Sequence, residues 1–137
     1  MYVVDASVWV SRFLPKDTFH TESHHWVKER VRQGEAVVMP TIALAEIAGA
    51  VARSTGLPSD GRRAVQYVED LSISHSVVLD ESLAQFSALV AATFSLRGAD
   101  AVYVAVASRL NLPLVTWDKE QLTRAAPIIE TLSPAPA

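Results

Sequence analysis

Cysteine is absent from all 137 residues. That excludes a disulfide framework, a thiolate nucleophile and any thiolate metal site. Long apolar runs are missing too: the stretch 99–112 is broken by Asp100, Ser108, Arg109 and Asn111, which leaves nothing fit to span a bilayer. The opening Met-Tyr-Val-Val-Asp has neither the basic region nor the long apolar region of a signal peptide, so a cytoplasmic protein with no membrane attachment is expected. There is no surplus of basic charge. The net charge is −3, where a protein that coats nucleic acid through its phosphates carries a basic surface. Setting four candidate site carboxylates aside leaves the remainder about neutral, so the charge argues against a coat protein but not against a small nuclease site. The chain also lacks a glycine-rich phosphate cradle, a Ser/His nucleophile motif and a local cluster of aromatics of the kind that binds nucleic acid.

Half of the residues are hydrophobic and 20% are charged, so the chain can bury a core and is not intrinsically disordered. Short β-branched runs alternate with longer helical patterns. Residues 2–4, 36–39, 77–79 and 114–116 read as buried strands, and 128–132 offers a fifth, edge strand. Segments 7–14, 21–32, 42–53, 59–70, 81–96 and 99–110 carry helical periodicity, and a short helix is expected after Asp118. Pro15, Gly34, Pro40, Gly56, Pro58, Gly98 and Pro113 punctuate the segments. The alternation implies an α/β fold, a parallel sheet covered on both faces. No internal repeat or linker divides the chain; one domain is expected over 1–132, followed by a short, fraying tail over 133–137.

Four carboxylates interrupt apolar segments: Asp5, Glu46, Asp100 and Asp118. An isolated acid beside a buried segment is costly unless it is capped, paired or bound to a cation. Gathered together, hard oxygen ligands without cysteine or a suitable histidine set call for Mg²⁺ or Mn²⁺ rather than zinc. Each acid has a plainer explanation. Asp5 follows a strand and precedes a helix, as an N-cap does. Asp118 with Gln121 has the spacing of a capping box. Asp100 follows Gly98 at the start of a helix that is apolar nearly all round and therefore central. Glu46 resists such an account, because it sits inside a helix whose neighbours on the same face are Gly49, Ala50 and Arg53; the small residues leave room for another element, or a substrate, to approach that face. Asp80 is a control: its position between strand and helix is the same as that of Asp5, and its flanks are those of an ordinary cap.

The ordered set Val-Val-Asp5-Ala-Ser7, Ala-Glu46-Ile, Ala-Asp100-Ala-Val-Tyr-Val-Ala-Val-Ala and Val-Thr116-Trp-Asp118 resembles the PIN-domain ribonucleases, and among them the VapC-type toxins of toxin–antitoxin pairs. The resemblance spans essentially the whole chain. It implies a three-layer α/β/α domain with a central parallel sheet of about four to five strands. It also implies hydrolysis of RNA with Mg²⁺ or Mn²⁺, a homodimer, and a cognate antitoxin whose tail occludes the acidic groove. By it Asp5, Glu46, Asp100 and Asp118 are the catalytic acids and metal ligands, with Ser7 and Thr116 in support, and Asp80 matches no site position.

Rival readings are a housekeeping PIN nuclease, a phosphatase of the haloacid dehalogenase type, and a non-catalytic α/β binding domain whose acids are helix caps. The phosphatase pattern wants a second Asp two residues after the first; Ser7 stands there. His20 and His24 have the spacing of zinc ligands but lack a third, so a solvated helix start is favoured. Arg12, Lys16, Arg53, Arg97 and Lys119 lie near the acids in sequence and are candidates for phosphate contact. Trp9, Phe13, Trp26 and Tyr67 are expected mostly in the core, with a partner surface as the alternative for some of them.

Overall fold

The computed structural model describes residues 1–136. Five strands, β1 (Tyr2–Val4), β2 (Val37–Pro40), β3 (Ser74–Val77), β4 (Leu114–Val115) and β5 (Thr131–Leu132), form one parallel sheet in the order β3-β2-β1-β4-β5. The helices are α1 (Ala6–Phe13), α2 (His20–Gln33), α3 (Ile42–Thr55), α4 (Pro58–Asp70), α5 (Glu81–Phe94), α6 (Gly98–Leu110) and α7 (Lys119–Arg124). This is the expected three-layer α/β/α arrangement.

Chain order dictates the layering. From β1 the chain steps through β2 to β3, then returns across the sheet to β4 and β5. Right-handed crossovers put connections that run in opposite directions on opposite faces. Accordingly, α1 packs against α2 and α3, and α3 against α4, while α5 packs against α6, which lies across β1, β2 and β4. The core is the apolar surface between these layers: Val3, Val4, Val37, Met39, Leu114 and Val115 of the sheet, with Val8, Trp9, Ile47 and the buried length of α6 from Ala101 to Ala107. Trp9 is fully buried, and Phe13, Trp26 and Tyr67 pack against the core from partly buried positions.

One strand departs from the sequence reading. β3 covers Ser-His-Ser-Val at 74–77 instead of the apolar 77–79, and Val78 is 67% exposed. β3 is an edge strand paired only to β2, so its ladder is satisfied by backbone groups and its side chains need not be apolar. The segment proposed as a fifth strand does form an edge, at Thr131 and Leu132. Beyond it Pro134 is buried and, with Ala135 and Pro136, borders a shallow pocket along α2 beside Trp26. No single described helix is long and apolar enough to cross a membrane; α5 and α6 pass only when taken together, across a bend of 108°.

The topology also fixes where a ligand belongs. β1 is the point from which the chain departs in both directions, and the crevice beyond the carboxyl ends of β1 and β4 is the switch point at which open parallel sheets bind ligands. Asp5 follows β1 directly; Thr116 to Asp118 follow β4; α1, α3, α6 and α7 all start at, or point their N-termini toward, this edge.

Candidate active site

Asp5 is the structural centre of the crevice and is 5% exposed. As the N-cap of α1 it accepts the Ser7 N–H on Oδ2 at 3.2 Å. The same oxygen accepts the Thr116 hydroxyl at 3.0 Å, and Oδ1 accepts the Gln121 side-chain amide at 3.3 Å. Three donors from three segments thus satisfy a buried carboxylate that would otherwise be costly. The cap and the crevice position coexist in one residue, since the first turn of α1 offers its amides where β1 ends.

Ser7 and Thr116 join the ends of β1 and β4. The Ser7 hydroxyl accepts the Trp117 N–H at 3.1 Å and lies 3.4 Å from the Thr116 hydroxyl, which in turn accepts the Asp118 N–H at 3.0 Å. The two hydroxyls therefore act as a polar bridge that fixes the β4–α7 turn against Asp5.

Glu46 lies in the second turn of α3, half-buried, and its Oε1 accepts the Tyr103 hydroxyl at 2.7 Å. Burial holds its carboxyl above the usual carboxylate range; the Tyr103 hydrogen bond opposes that shift, and the charges of Asp5 and Asp100 add to it. Tyr103, itself fully buried in α6, is pushed up by burial and by the nearby Asp5 and Glu46 charges, so it acts as a donor throughout the working pH range. The carboxyl of Asp100, in the first turn of α6, is also raised, first by burial and then by Asp5 and Asp118; Gln121 and Arg97 partly oppose this. After burial, the negative charges of Asp5, Asp100 and Asp118 disfavour ionisation of their neighbours across the crevice.

Asp5, Glu46 and Asp100 line a single open cleft of about 730 Å³, together with Ser7, Ile42, Ala45, Ala50, Arg53, Phe19 and Trp117. Asp118 is not among its walls. It caps α7 by accepting the Gln121 N–H on Oδ1 at 2.9 Å, and it reaches the site through its charge on Asp100. Asp80, the control, is an ordinary cap that accepts the Leu83 N–H at 2.8 Å. Ala50 faces the cleft, as the small-residue face of α3 led one to expect.

Three contributors were not singled out from sequence. Tyr103 had a signal: a lone phenol in a Val/Ala helix, three residues after Asp100 and so on the same face. Gln121 was read as half of a capping box, yet its side chain turns inward to both Asp5 and Asp100, the latter at 2.8 Å. The Phe19–Trp117 pair joins residues far apart in the chain and left no local signature. Of the basic candidates, Arg53 lines the cleft; Arg97 sits 3.8 Å from Asp100, mostly exposed; Arg12 stacks over Phe13 and Tyr67; and Lys16 borders a separate pocket. His20 places Nδ1 2.9 Å from the Ser11 carbonyl.

Whether these residues suit a divalent cation can be judged from their chemistry. The donors are hard carboxylate oxygens, and two of the groups are held above their ordinary pKa in part by repulsion that a cation relieves. No group of three or more acids and histidines stands in ligating arrangement among the described residues. Protein donors occupy the acids instead: Gln121 on Asp5 and Asp100, and Tyr103 on Glu46. Hard oxygen donors of this kind suit a divalent cation, and to hold one the Gln121 amide would have to yield one of its two carboxylates.

Comparison with known proteins agrees with this geometry. The PIN domain family matches residues 2–127. No protein of curated function matches the chain in sequence. Among solved structures, VapC20 of Mycobacterium tuberculosis, a sarcin–ricin loop cleaving toxin, superposes with a TM-score of 0.78 at 14% identity, covering 93% of this chain and 95% of that one. FitAcB of Neisseria gonorrhoeae gives 0.70 at 20% identity, with 98% of each chain covered. A toxin–antitoxin complex from Klebsiella pneumoniae gives 0.70 at 17% identity over 100% of both. These likenesses establish a shared fold, and the family match over nearly the whole chain establishes the rest: this chain belongs to the PIN domain family.

Proposed function

We propose that the chain is a metal-dependent endoribonuclease that acts in the cytoplasm as the toxin of a toxin–antitoxin pair, as a homodimer restrained by a cognate antitoxin. One observation carries the nuclease reading: three acids from β1, α3 and α6 converge on one cleft at the switch point of a PIN domain sheet. The toxin reading draws on the structural relatives, which include a loop-cleaving toxin and toxin–antitoxin complexes. DNA-bound VapBC from Salmonella typhimurium, with a TM-score of 0.68 at 16% identity, is another.

Asp5, Asp100 and Asp118 are the proposed holders of Mg²⁺ or Mn²⁺, with Glu46 joining directly or through water. When bound, such an ion supplies charge for the phosphodiester oxygens and acidifies a coordinated water. The chain's own residues do the remainder. Thr116 and Ser7 N–H fix the Asp5 carboxylate; Asp5 in turn is held rigid by the first turn of α1. Tyr103 fixes one Glu46 oxygen and leaves the other to accept a proton from the attacking water. The raised carboxyl of Glu46 suits a general base working nearer neutrality than an ordinary glutamate. Arg53 offers a guanidinium to a substrate phosphate on the cleft wall.

The test is to incubate antitoxin-free protein with mixed RNA in Mn²⁺, Mg²⁺ or EDTA, beside Asp5→Asn and Asp100→Asn. Cleavage by wild type that needs the metal and is lost in both folded variants supports the proposal. Cleavage that survives both substitutions would remove the acids from the chemistry.

A further inference from the structure

Two aromatic rings meet on the wall of the acidic cleft. Phe19, which precedes α2, and Trp117, which stands between Thr116 and Asp118, stack with centroids 4.0 Å apart and planes 8° from parallel. Trp117 is pinned on two sides: its Nε1 donates to Ser23 Oγ at 2.7 Å and its backbone N–H donates to Ser7 Oγ at 3.1 Å. Phe19 is fixed by its backbone, whose N–H donates to Asp17 Oδ1 at 2.8 Å and whose carbonyl accepts the Ser23 N–H at 3.0 Å. Yet Phe19 keeps 38% of its surface exposed. Trp117 covers one face of the ring, and Phe19 lines the cleft beside the acids.

A pre-ordered, half-stacked ring in water is an unusual use of a phenylalanine. A third flat group added to the stack would bury apolar area at little cost in side-chain entropy, both rings being already held.

We propose that Phe19, backed by Trp117, is a base-stacking subsite: an unpaired nucleobase of the RNA, adjacent to the phosphate held at the acids, lies on the outer face of Phe19. The inference rests on the nuclease reading above and adds to it the residues on which a base of the substrate lies. Position selects the occupant. Trp117 is bonded directly to Thr116, which donates to Asp5, so platform and acids share one edge of the sheet and one cleft, as a base and its own phosphate share one nucleotide. Arg53 adds a cation for the same polyanion. Stacking on an aromatic face accepts every base, which suits recognition of unpaired RNA by shape rather than by hydrogen-bond code. A duplex base, already stacked on both sides, has no face to offer.

The probes are decauridylate, its duplex with decaadenylate, and an abasic ribose–phosphate chain of equal length, each titrated into full-length protein. Phe19→Trp introduces a reporter whose fluorescence is expected to be quenched by decauridylate and not by the duplex or the abasic chain. Phe19→Ala is expected to raise KM for single-stranded RNA about tenfold or more with kcat within about twofold, and Phe19→Leu to behave like Phe19→Ala, while Phe19→Trp restores wild-type KM. Equal KM in wild type and Phe19→Ala overturns the subsite, as does equal quenching by the abasic chain. A Phe19→Ala defect confined to binding of a basic peptide, with RNA binding intact, assigns the platform to a protein partner and also overturns it. The nuclease reading fails separately, through absence of metal-dependent cleavage in wild type. Base-dependent quenching that persists in that case upholds the stacking site as an RNA-binding one.

Discussion

Gln121 donates a single side-chain amide to two carboxylates, Asp100 Oδ1 at 2.8 Å and Asp5 Oδ1 at 3.3 Å, while its own backbone N–H is accepted by Asp118 at 2.9 Å. A fully buried neutral residue therefore stands between like charges. Replacing it with methionine keeps the volume and removes the donor. Gln121→Met is expected to lower stability by about 1–3 kcal/mol in EDTA, the cost of leaving buried acceptors unpaired. In saturating Mn²⁺ the loss should shrink, because the cation takes over the task. Urea denaturation in both conditions checks this, and equal losses would show that Gln121 is a packing residue only.

The acids also set a pH dependence. Glu46 and Asp100 are both raised above their ordinary values, mainly by burial. A group with a raised folded pKa binds more protons in the folded than in the unfolded state, so stability falls as pH rises from its unfolded pKa through its folded one. The metal-free protein is thus expected to melt higher near pH 5 than near pH 7.5. Asp100→Asn should raise the melting temperature at pH 7.5 and flatten the profile, and Mn²⁺ should do the same for wild type. Melting curves across that range in EDTA and in Mn²⁺ decide the matter; a profile unchanged by Asp100→Asn would acquit the acids.

Why some of this was legible beforehand and some was not follows from the range of each interaction. The strands β1, β2 and β4 are central and buried on both faces, so their Val and Leu runs announce them. β3 needs only backbone pairing at an edge, and its Ser-His-Ser-Val sequence says nothing of it. Asp5, Glu46 and Asp100 interrupt apolar segments, which marks them as costly wherever they end up; their convergence on one cleft is a property of topology. Asp118 is the instructive case. Its capping of α7 was plain from local spacing, and the structure shows that cap while leaving the residue off the cleft wall. Gln121 and the Phe19–Trp117 pair were opaque because their partners come from β1, α6 and opposite ends of the chain, where no local periodicity reaches.

Tyr103 donates to Glu46 Oε1 at 2.7 Å from a fully buried position. Tyr103→Phe removes one hydroxyl and nothing else. Its hydrogen bond lowers the Glu46 pKa against the effect of burial, so losing it should push Glu46 still higher. If Glu46 works ionised, the acid limb of the cleavage profile is expected to move to higher pH, with kcat at pH 7 down about tenfold, less than the roughly 10²–10⁴-fold that losing a general base outright would cost. A pH–rate series on RNA in Mn²⁺ tests it; an unmoved limb would place Glu46 outside proton transfer.

The cleft wall formed by α3 rests on two glycines with opposite tolerances. A Cβ on Gly61 of α4 would lie 2.5 Å from the Ala48 carbonyl oxygen. Backbone cannot retreat from that, so α3 and α4 must separate, and Gly61→Ala should cost about 1–3 kcal/mol in spite of its better helix propensity. A Cβ on Gly49 would meet only the end of the Arg53 side chain, at 3.1 Å, and a guanidinium can swing away. Gly49→Ala is therefore expected to stabilise α3 by up to about 1 kcal/mol while displacing Arg53 along the cleft. Denaturation of both variants checks the stability signs. Cleavage kinetics check the second half: if Arg53 grips a substrate phosphate from its present place, Gly49→Ala raises KM in a protein that is more stable than wild type, a combination that damage to the fold cannot produce.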